Sequence, residues 1–372
     1  KPNLETIFPI WSMSKPITIV AMMILRERGM ISINDNLSKY IPEFKNMTCK
    51  GEKGKYPCKK EIKIIHLLTH RSGFGYYSDQ GYGYGFTNTL TYNNLKDFAK
   101  DLSKVELEFE PGEKYYYGLN QALLGRVVEI VSKKSFYDFL KDEIFDPLKM
   151  TETKFYLTEN DRSRFQPLFI NTGELKGFTY ELNELTYKKE NNAFFGGEGL
   201  VSTMSDYSNF CRMLLNGGVF NGKRIISQKS IDLMTKKYSD SYPKEEYADI
   251  RKLGFYFGFS LFVLENPEID GTNSSKGISS IKEVYHIIKI MEETTTTFTK
   301  KDLPDSSPTY QNMNVLGGPS LSKLNMSGPR VGMTFLTGRS ATPRDEGGEW
   351  DYPVITQIGW QFEQRFFTTD GG

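Results

Sequence analysis

Apolar residues recur at helical spacing early in the chain. Ile17, Val20, Ala21, Ile24 and Leu25 share one face of a segment running from about Ser12 to Arg28, with Gly29 where such a helix would end. Pro16 would break a helix interior, but in a first turn its missing N–H has no intrahelical partner, so the pattern predicts a helix opening near Ser12. Ile31 to Phe44 reads as an irregular stretch closed by Pro42, and Lys50 to Lys60 as a solvated, lysine-rich loop. Ile62 to Leu68 predicts a short helix, and the Gly/Tyr-rich run from Phe74 to Phe86 has no period and predicts a loop. Leu95 to Leu102 is amphipathic. After a turn at Pro111-Gly112, Leu123, Leu124, Val127, Val128 and Ile130 mark a stronger helix, and Phe136 to Ile144 carries helical content on towards Pro147.

Beyond Lys154 the pattern changes. Short Phe/Tyr/Leu-rich pieces alternate with polar turns as far as Phe195, which predicts strands and loops. Gly196-Gly197-Glu198-Gly199 then breaks the chain before a helix that Ser202 or Thr203 can cap and that Asn216-Gly217-Gly218 ends. Leu253 to Leu264 reads as one strand. Asn266 to Gly328 contains the threonine run Thr294 to Thr297 and a Pro/Ser patch at Asp302 to Pro308, the composition of a partly disordered insertion. Val354 to Thr369 has strand composition. The expected organisation is a main domain over 1–265, an insertion over 266–328, and a return to the same domain over 329–372 as a sheet segment.

Composition removes several function classes. With 47 Lys plus Arg against 46 Asp plus Glu in 372 residues, there is no electrostatic footprint for nucleic acid. No apolar run approaches the roughly 18 residues of a spanning helix, so no transmembrane segment is expected. Three His are too scattered for a metal site and no H-E-x-x-H occurs, so neither metal nor cofactor is expected. Of the three Cys, Cys49 and Cys58 could pair in an oxidising compartment but are read as reduced thiols, and Cys211 as a small buried hydrophobe. No targeting segment is evident at Lys1, which leaves the compartment open between mitochondrion and cytoplasm.

A serine hydroxyl attacks a carbonyl only with a proton acceptor beside it. Ser12-Met13-Ser14-Lys15 meets that need, because residues three apart lie on one helix face and Lys15 would project within reach of Ser12 Oγ. The helix N-terminus also favours negative charge on the attacking oxygen. Alone, the spacing favours the plainer reading of a capping Ser followed by an exposed Lys. The surrounding segment, Ile7-Phe8-Pro9-Ile10-Trp11-Ser12-Met13-Ser14-Lys15-Pro16-Ile17-Thr18, closely resembles the nucleophile segment of the serine β-lactamase-related family. That family holds class C β-lactamases, penicillin-binding-protein-like peptidases and esterases, and a mitochondrial homologue.

The resemblance recurs in order along the chain. Leu67-Leu68-Thr69-His70-Arg71-Ser72-Gly73 is similar to the family's LLxHTSG block, with Arg71 where Thr is usual, and implies that His70 is a packed loop residue rather than a base. Pro111 to Leu119, followed by Leu123-Leu124-Gly125, is similar to the second motif; Tyr117 is taken as its tyrosine, although Tyr115 and Tyr116 stand beside it. Leu119 then replaces the Asn that binds the amide of β-lactams, which implies the esterase-like form. Gly199 to Gly218 resembles the GGLxSTxxDxxxFxxMLLNGG stretch, a scaffold. The implied fold is α/β in the broad (α+β) sense: an antiparallel sheet flanked by helices, plus a helical lobe.

Two departures matter. The best match to the third motif is Gly359-Trp360-Gln361-Phe362, with Gln and Phe at the glycine positions; Leu336-Thr337-Gly338 is a rival that lacks the basic residue. Gly359, Trp360 and Leu119 are the substrate-binding candidates. Eleven residues precede Ser12, where the family places several tens, and its closing strand and helix would follow Gly372. Either this is part of a longer protein, or terminal strands are missing and partners cover the edges. The expected function is hydrolysis of a small-molecule or peptide ester or amide, with Ser12 attacking and Lys15 and Tyr117 moving protons. The alternative is a catalytically silent relative serving as a structural subunit. Protein partners or a homo-oligomer are expected in both.

Overall fold

A computed structural model describes residues 4–75, 92–166, 169–172, 175–178, 187–238, 255–264, 314–315, 336–339 and 353–355. Strand β1 (Phe8–Pro9) leads into a 3-10 turn (Trp11–Met13) and then helix α1 (Ser14–Glu27). The helix therefore starts two residues later than its apolar period predicts. Trp11, at φ 41°, accompanies the tighter turn. Residues Ser14 to Leu25 are buried all round, so α1 is a central helix rather than an amphipathic one with a wet face. Its polar members Ser14, Lys15 and Thr18 are tolerated there because each bonds the segment 196–200.

Two 3-10 turns, Leu37–Lys39 and Pro42–Phe44, form the irregular stretch, and the lysine-rich loop is a hairpin of β2 (Thr48–Cys49) and β3 (Tyr56–Pro57). This corrects the expectation of two reduced thiols. The antiparallel pairing brings the Cα atoms of Cys49 and Cys58 to 5.1 Å, within bridging range, and they form a disulfide. Lys50 and Lys55 pair with Glu108 and Glu106, so part of the lysine charge is engaged rather than simply solvated.

Helices α2 (Ile64–Leu68), α3 (Leu95–Leu102), α4 (Asn120–Ser132) and α5 (Phe136–Leu140) gather around α1, with α4 packed directly against it. A π turn (Lys141–Phe145) carries α5 into α6 (Asp146–Leu148), and Pro147 is accommodated at the first turn of that last piece. The region after Lys154 holds a short helix, α7 (Glu159–Arg162), and the hairpin β4 (Phe169–Thr172) with β5 (Leu175–Phe178). Strand β6 (Val201–Ser202) pairs with β1, so Thr203 and not Ser202 caps α8 (Met204–Leu215), accepting from Asp206 N–H. Cys211 lies fully buried on α8, where burial pushes its thiol well up.

A small hairpin of β7 (Val219–Phe220) and β8 (Lys223–Arg224) precedes α9 (Gln228–Met234). The single strand expected over Leu253 to Leu264 is two, β9 (Phe255–Phe257) and β10 (Phe262–Leu264), because Ser260, at φ 51°, turns the chain back on itself. Strands β11 (Asn314–Val315), β12 (Leu336–Arg339) and β13 (Pro353–Ile355) form an antiparallel sheet with β12 in the middle. The fold is thus mixed helix and sheet, every named ladder being antiparallel, as the resemblance implied. Most of the expected insertion, and Gly359 and Trp360, lie outside the described residues. No helix among the described residues is long and apolar enough to cross a membrane.

The bridge closes a short loop, nine residues apart in sequence, for which chain entropy gives on the order of 2–3 kcal/mol. Cys58→Ser is therefore expected to lower the unfolding free energy by about 2 kcal/mol, read as a lower urea midpoint at unchanged slope. An unchanged midpoint would show that the hairpin holds without its bridge.

Candidate active site

Ser12 sits half-buried on the 3-10 turn that opens α1. Its Oγ accepts two hydrogen bonds, one from Lys15 Nζ at 3.1 Å and one from Tyr117 Oη at 2.9 Å. The short turn keeps the spacing useful: Lys15, one turn on, still reaches back to Ser12. Lys15 is 2% exposed, donates to Gly197 O at 2.8 Å, and holds its amine 4.6 Å from the centre of the Tyr117 ring. Serine, lysine and tyrosine are thus in mutual contact.

The Gly-rich break before α8 supplies the far wall. Thr18 Oγ1 donates to Gly196 O at 2.7 Å, Leu200 N–H donates to Ser14 Oγ at 3.2 Å, and Ile10 N–H donates to Leu200 O at 3.0 Å. A Cβ on Gly196 would come within 2.6 Å of Thr18 Oγ1, so this close approach requires glycine. Tyr207 Oη donates to Met13 O at 3.1 Å and fixes the turn from below. Trp11 adds strain, since a bulky residue at positive φ costs about 1–3 kcal/mol and persists only where its surroundings over-determine it.

Tyr117 is held from the other side. Gly118 lets the chain cross the Phe74–Gly75 backbone, where a Cβ would lie 2.4 Å from Phe74 O. The neighbouring tyrosines pack elsewhere: Tyr115 stands edge-on to Phe257 at 4.7 Å, and the Tyr116 ring fills the space over Gly75. His70 stacks on Tyr117 with ring centroids 4.5 Å apart. It is fully buried, and burial, aided by the Lys15 charge, holds its imidazole well below the usual histidine range, so it is neutral. Asn120 Nδ2 at 2.9 Å and Gly118 N–H at 3.4 Å both face Nδ1, while Ser260 Oγ and the Gln121 amide nitrogen each lie 3.3 Å from Nε2; the Gly118 N–H can only donate, so Nδ1 accepts and the proton sits on Nε2. Asn120 is fixed in turn by the Ser72 hydroxyl.

The structure therefore brings together Ser12, Lys15 and Tyr117. Leu119 is buried at 4% exposure, immediately before α4 and within the apolar core, and Gly359 and Trp360 lie outside the described residues. Leu336 to Gly338 lies on β12, the middle strand of its sheet. Sequence reasoning missed the Gly197 carbonyl; its signal was the glycine run itself, which marks close backbone approach. Among the described residues no group of three or more His, Cys, Asp or Glu could hold a metal.

Ser12 at the opening of α1, Lys15 on that helix, Tyr117 from a separate loop and the glycine-rich wall thus meet in one place, and residues 1–274 match the Beta-lactamase family model. The chain belongs to the β-lactamase family. Among relatives, it is 27% identical over 302 residues to the teichoic acid D-alanine hydrolase of Staphylococcus aureus, covering 77% of this chain and 67% of that protein. Among solved structures it is similar to EstCE1, a hydrolase with promiscuous acyltransferase activity, with 23% identity, a TM-score of 0.56 and coverage of 74% of each chain. It is also similar to the octameric penicillin-binding protein homologue from Pyrococcus abyssi, with 22% identity and a TM-score of 0.52 over 71% of this chain and 55% of that one. These likenesses share the β-lactamase and penicillin-binding-protein fold.

If the His70 ring serves as a shelf for Tyr117, His70→Ala should slow modification of Ser12 by a fluorophosphonate about 10–100-fold, the cost of a small misplacement. Because His70 is neutral, the midpoint of the pH dependence of that reaction should stay put. A shifted midpoint would assign His70 a proton-carrying role instead.

Proposed function

We propose that this β-lactamase-family chain is a serine hydrolase that cleaves an ester or amide through an acyl-enzyme on Ser12. The observation that carries the reading is the double contact on Ser12 Oγ, from Lys15 Nζ at 3.1 Å and Tyr117 Oη at 2.9 Å. Ser12 Oγ attacks the carbonyl carbon while its proton passes into the lysine–tyrosine unit, and the same unit returns a proton to the leaving group. Water then attacks the ester on Ser12, its proton passing into that pair, and the acyl–Oγ bond breaks as the pair returns a proton to Ser12 Oγ and the acid departs. The Ser12 N–H, at the start of the helix, supplies a donor to the oxyanion. This chemistry uses no cofactor. The hydrolase name of the staphylococcal relative and the acyl-transfer chemistry of EstCE1 support the class. An octameric neighbour of the same fold supports an oligomeric working form.

Lys15→Ala should lower kcat on a p-nitrophenyl ester by about 10²–10⁴-fold, the usual consequence of removing a positioned base, with the fold retained. A variant as fast as the parent takes lysine out of the mechanism. Absence of any fluorophosphonate adduct on Ser12, read by intact mass on native protein, would favour the silent structural subunit.

Leu119, where β-lactam-binding relatives carry Asn, leads to a second expectation. A short-chain ester should be turned over faster than a penicillin or cephalosporin, and the reverse order in a direct kcat/KM comparison would place the chain in the β-lactam-cleaving branch.

A further inference from the structure

Tyr117 stands at the end of a strap that a distant hairpin holds. From Leu107 to Tyr117 the chain runs beside residues 70–73: Glu108 N–H donates to Gly73 O at 3.0 Å, Gly112 N–H to Arg71 O at 2.8 Å and Tyr116 N–H to His70 O at 2.7 Å. The other edge of the strap is fastened to the hairpin of β2 and β3. Leu107 N–H donates to Thr48 O and Lys50 N–H to Leu107 O, both at 2.8 Å, and Lys50 pairs with Glu108 at 2.7 Å. The Glu110 carboxylate, 5% exposed, then accepts from Lys59 N–H at 2.9 and 3.0 Å and from Lys60 N–H at 3.1 Å. Those two residues immediately follow Cys58, so the disulfide to Cys49 fixes where the donors of this clamp lie.

We propose that Glu110 is a positioning residue for Tyr117 and that the Cys49–Cys58 bridge governs its hold, so that the site on Ser12 is redox-sensitive. The proposal rests on the serine-hydrolase reading above. A two-stranded hairpin is marginal in water on its own, and strands of two residues have little besides the bridge to keep their register. Once the bridge opens, the Lys59 and Lys60 donors can leave, and a buried carboxylate stripped of its donors is drawn towards water. Glu110 then carries Pro111 and Gly112 with it, and the strap no longer holds the Tyr117 hydroxyl on Ser12. Reduction has one point of entry, because Cys49 is fully buried and Cys58 partly exposed. A dithiol reductant attacks Cys58 Sγ with one thiolate, and the Sγ–Sγ bond breaks as Cys49 leaves and takes up a proton. The reductant's second thiolate then attacks its own first sulfur, forming the reductant's disulfide, and Cys58 leaves and is protonated.

The rate at which a fluorophosphonate modifies Ser12 reads the placing of Tyr117 without the natural substrate. Labelling should be about 10-fold slower after reduction by dithiothreitol, below the roughly 10²-fold that a 1 Å misplacement can cost, and should recover on reoxidation. A loss of stability alone does not move this rate, because protein that stays folded by circular dichroism presents the same native site. Cys58→Ser should label at the reduced rate with or without reductant. Glu110→Gln should label slowly with the bridge intact, and reduction should slow it little further, since both changes act through one clamp. Equal labelling of the oxidised and reduced parent, a parent that unfolds on reduction, or a Glu110→Gln as sensitive to reduction as the parent overturns the proposal and leaves the hydrolase standing. No labelling in either redox state overturns both.

Discussion

A primary amine buried at 2% exposure is the constraint around which this molecule is arranged. Taking such a group out of water costs several kcal/mol unless polar partners replace the lost hydration. Here Lys15 is met by a hydroxyl from the turn before it, a carbonyl from the Gly196 to Gly199 run and the face of a tyrosine ring. These three partners come from regions far apart in sequence, so the amine can be satisfied only once the chain has closed around α1. What would be a liability in a hydrophobic helix becomes the reason that Ser12, the glycine wall and the Tyr117 loop share one place.

The supports of this arrangement extend outwards in layers. Thr18 and Ser14 tie α1 to the glycine wall, and Tyr207 ties the Ser12 turn to α8. On the tyrosine side, Ser72 holds Asn120, Asn120 holds His70, and His70 lies flat against Tyr117. Each polar group in that chain is buried, and each is spoken for by its neighbour. Such a network is intolerant of partial loss, because removing one member leaves a buried donor or acceptor without its bond.

Much of this was legible in the sequence, and the reasons for the rest are physical. The helix carrying Lys15, the helix from Asn120 and the capped helix after Thr203 were read from apolar period and capping chemistry, which are local properties. That Ser12, Lys15 and Tyr117 would meet was legible because their blocks keep the order and spacing of a known family. The Cys49–Cys58 bridge was misread because it depends on a hairpin whose strands are two residues each, too short for any period to show. The doubling of the strand near Ser260 and the carbonyl of Gly197 escaped for a similar reason: both are backbone events, set by one turn and one tertiary contact, with no side-chain pattern of their own.

Cys211 has a consequence of another kind. Its thiol lies at 0% exposure on α8, with burial disfavouring the thiolate, and it is the chain's one cysteine outside the disulfide. An alkylating reagent meets it only when α8 separates from its neighbours, so the rate of its capture counts openings of the folded state. The molecule thus carries a native timekeeper for its own breathing, set in the helix that braces the Ser12 turn, with no residue to change.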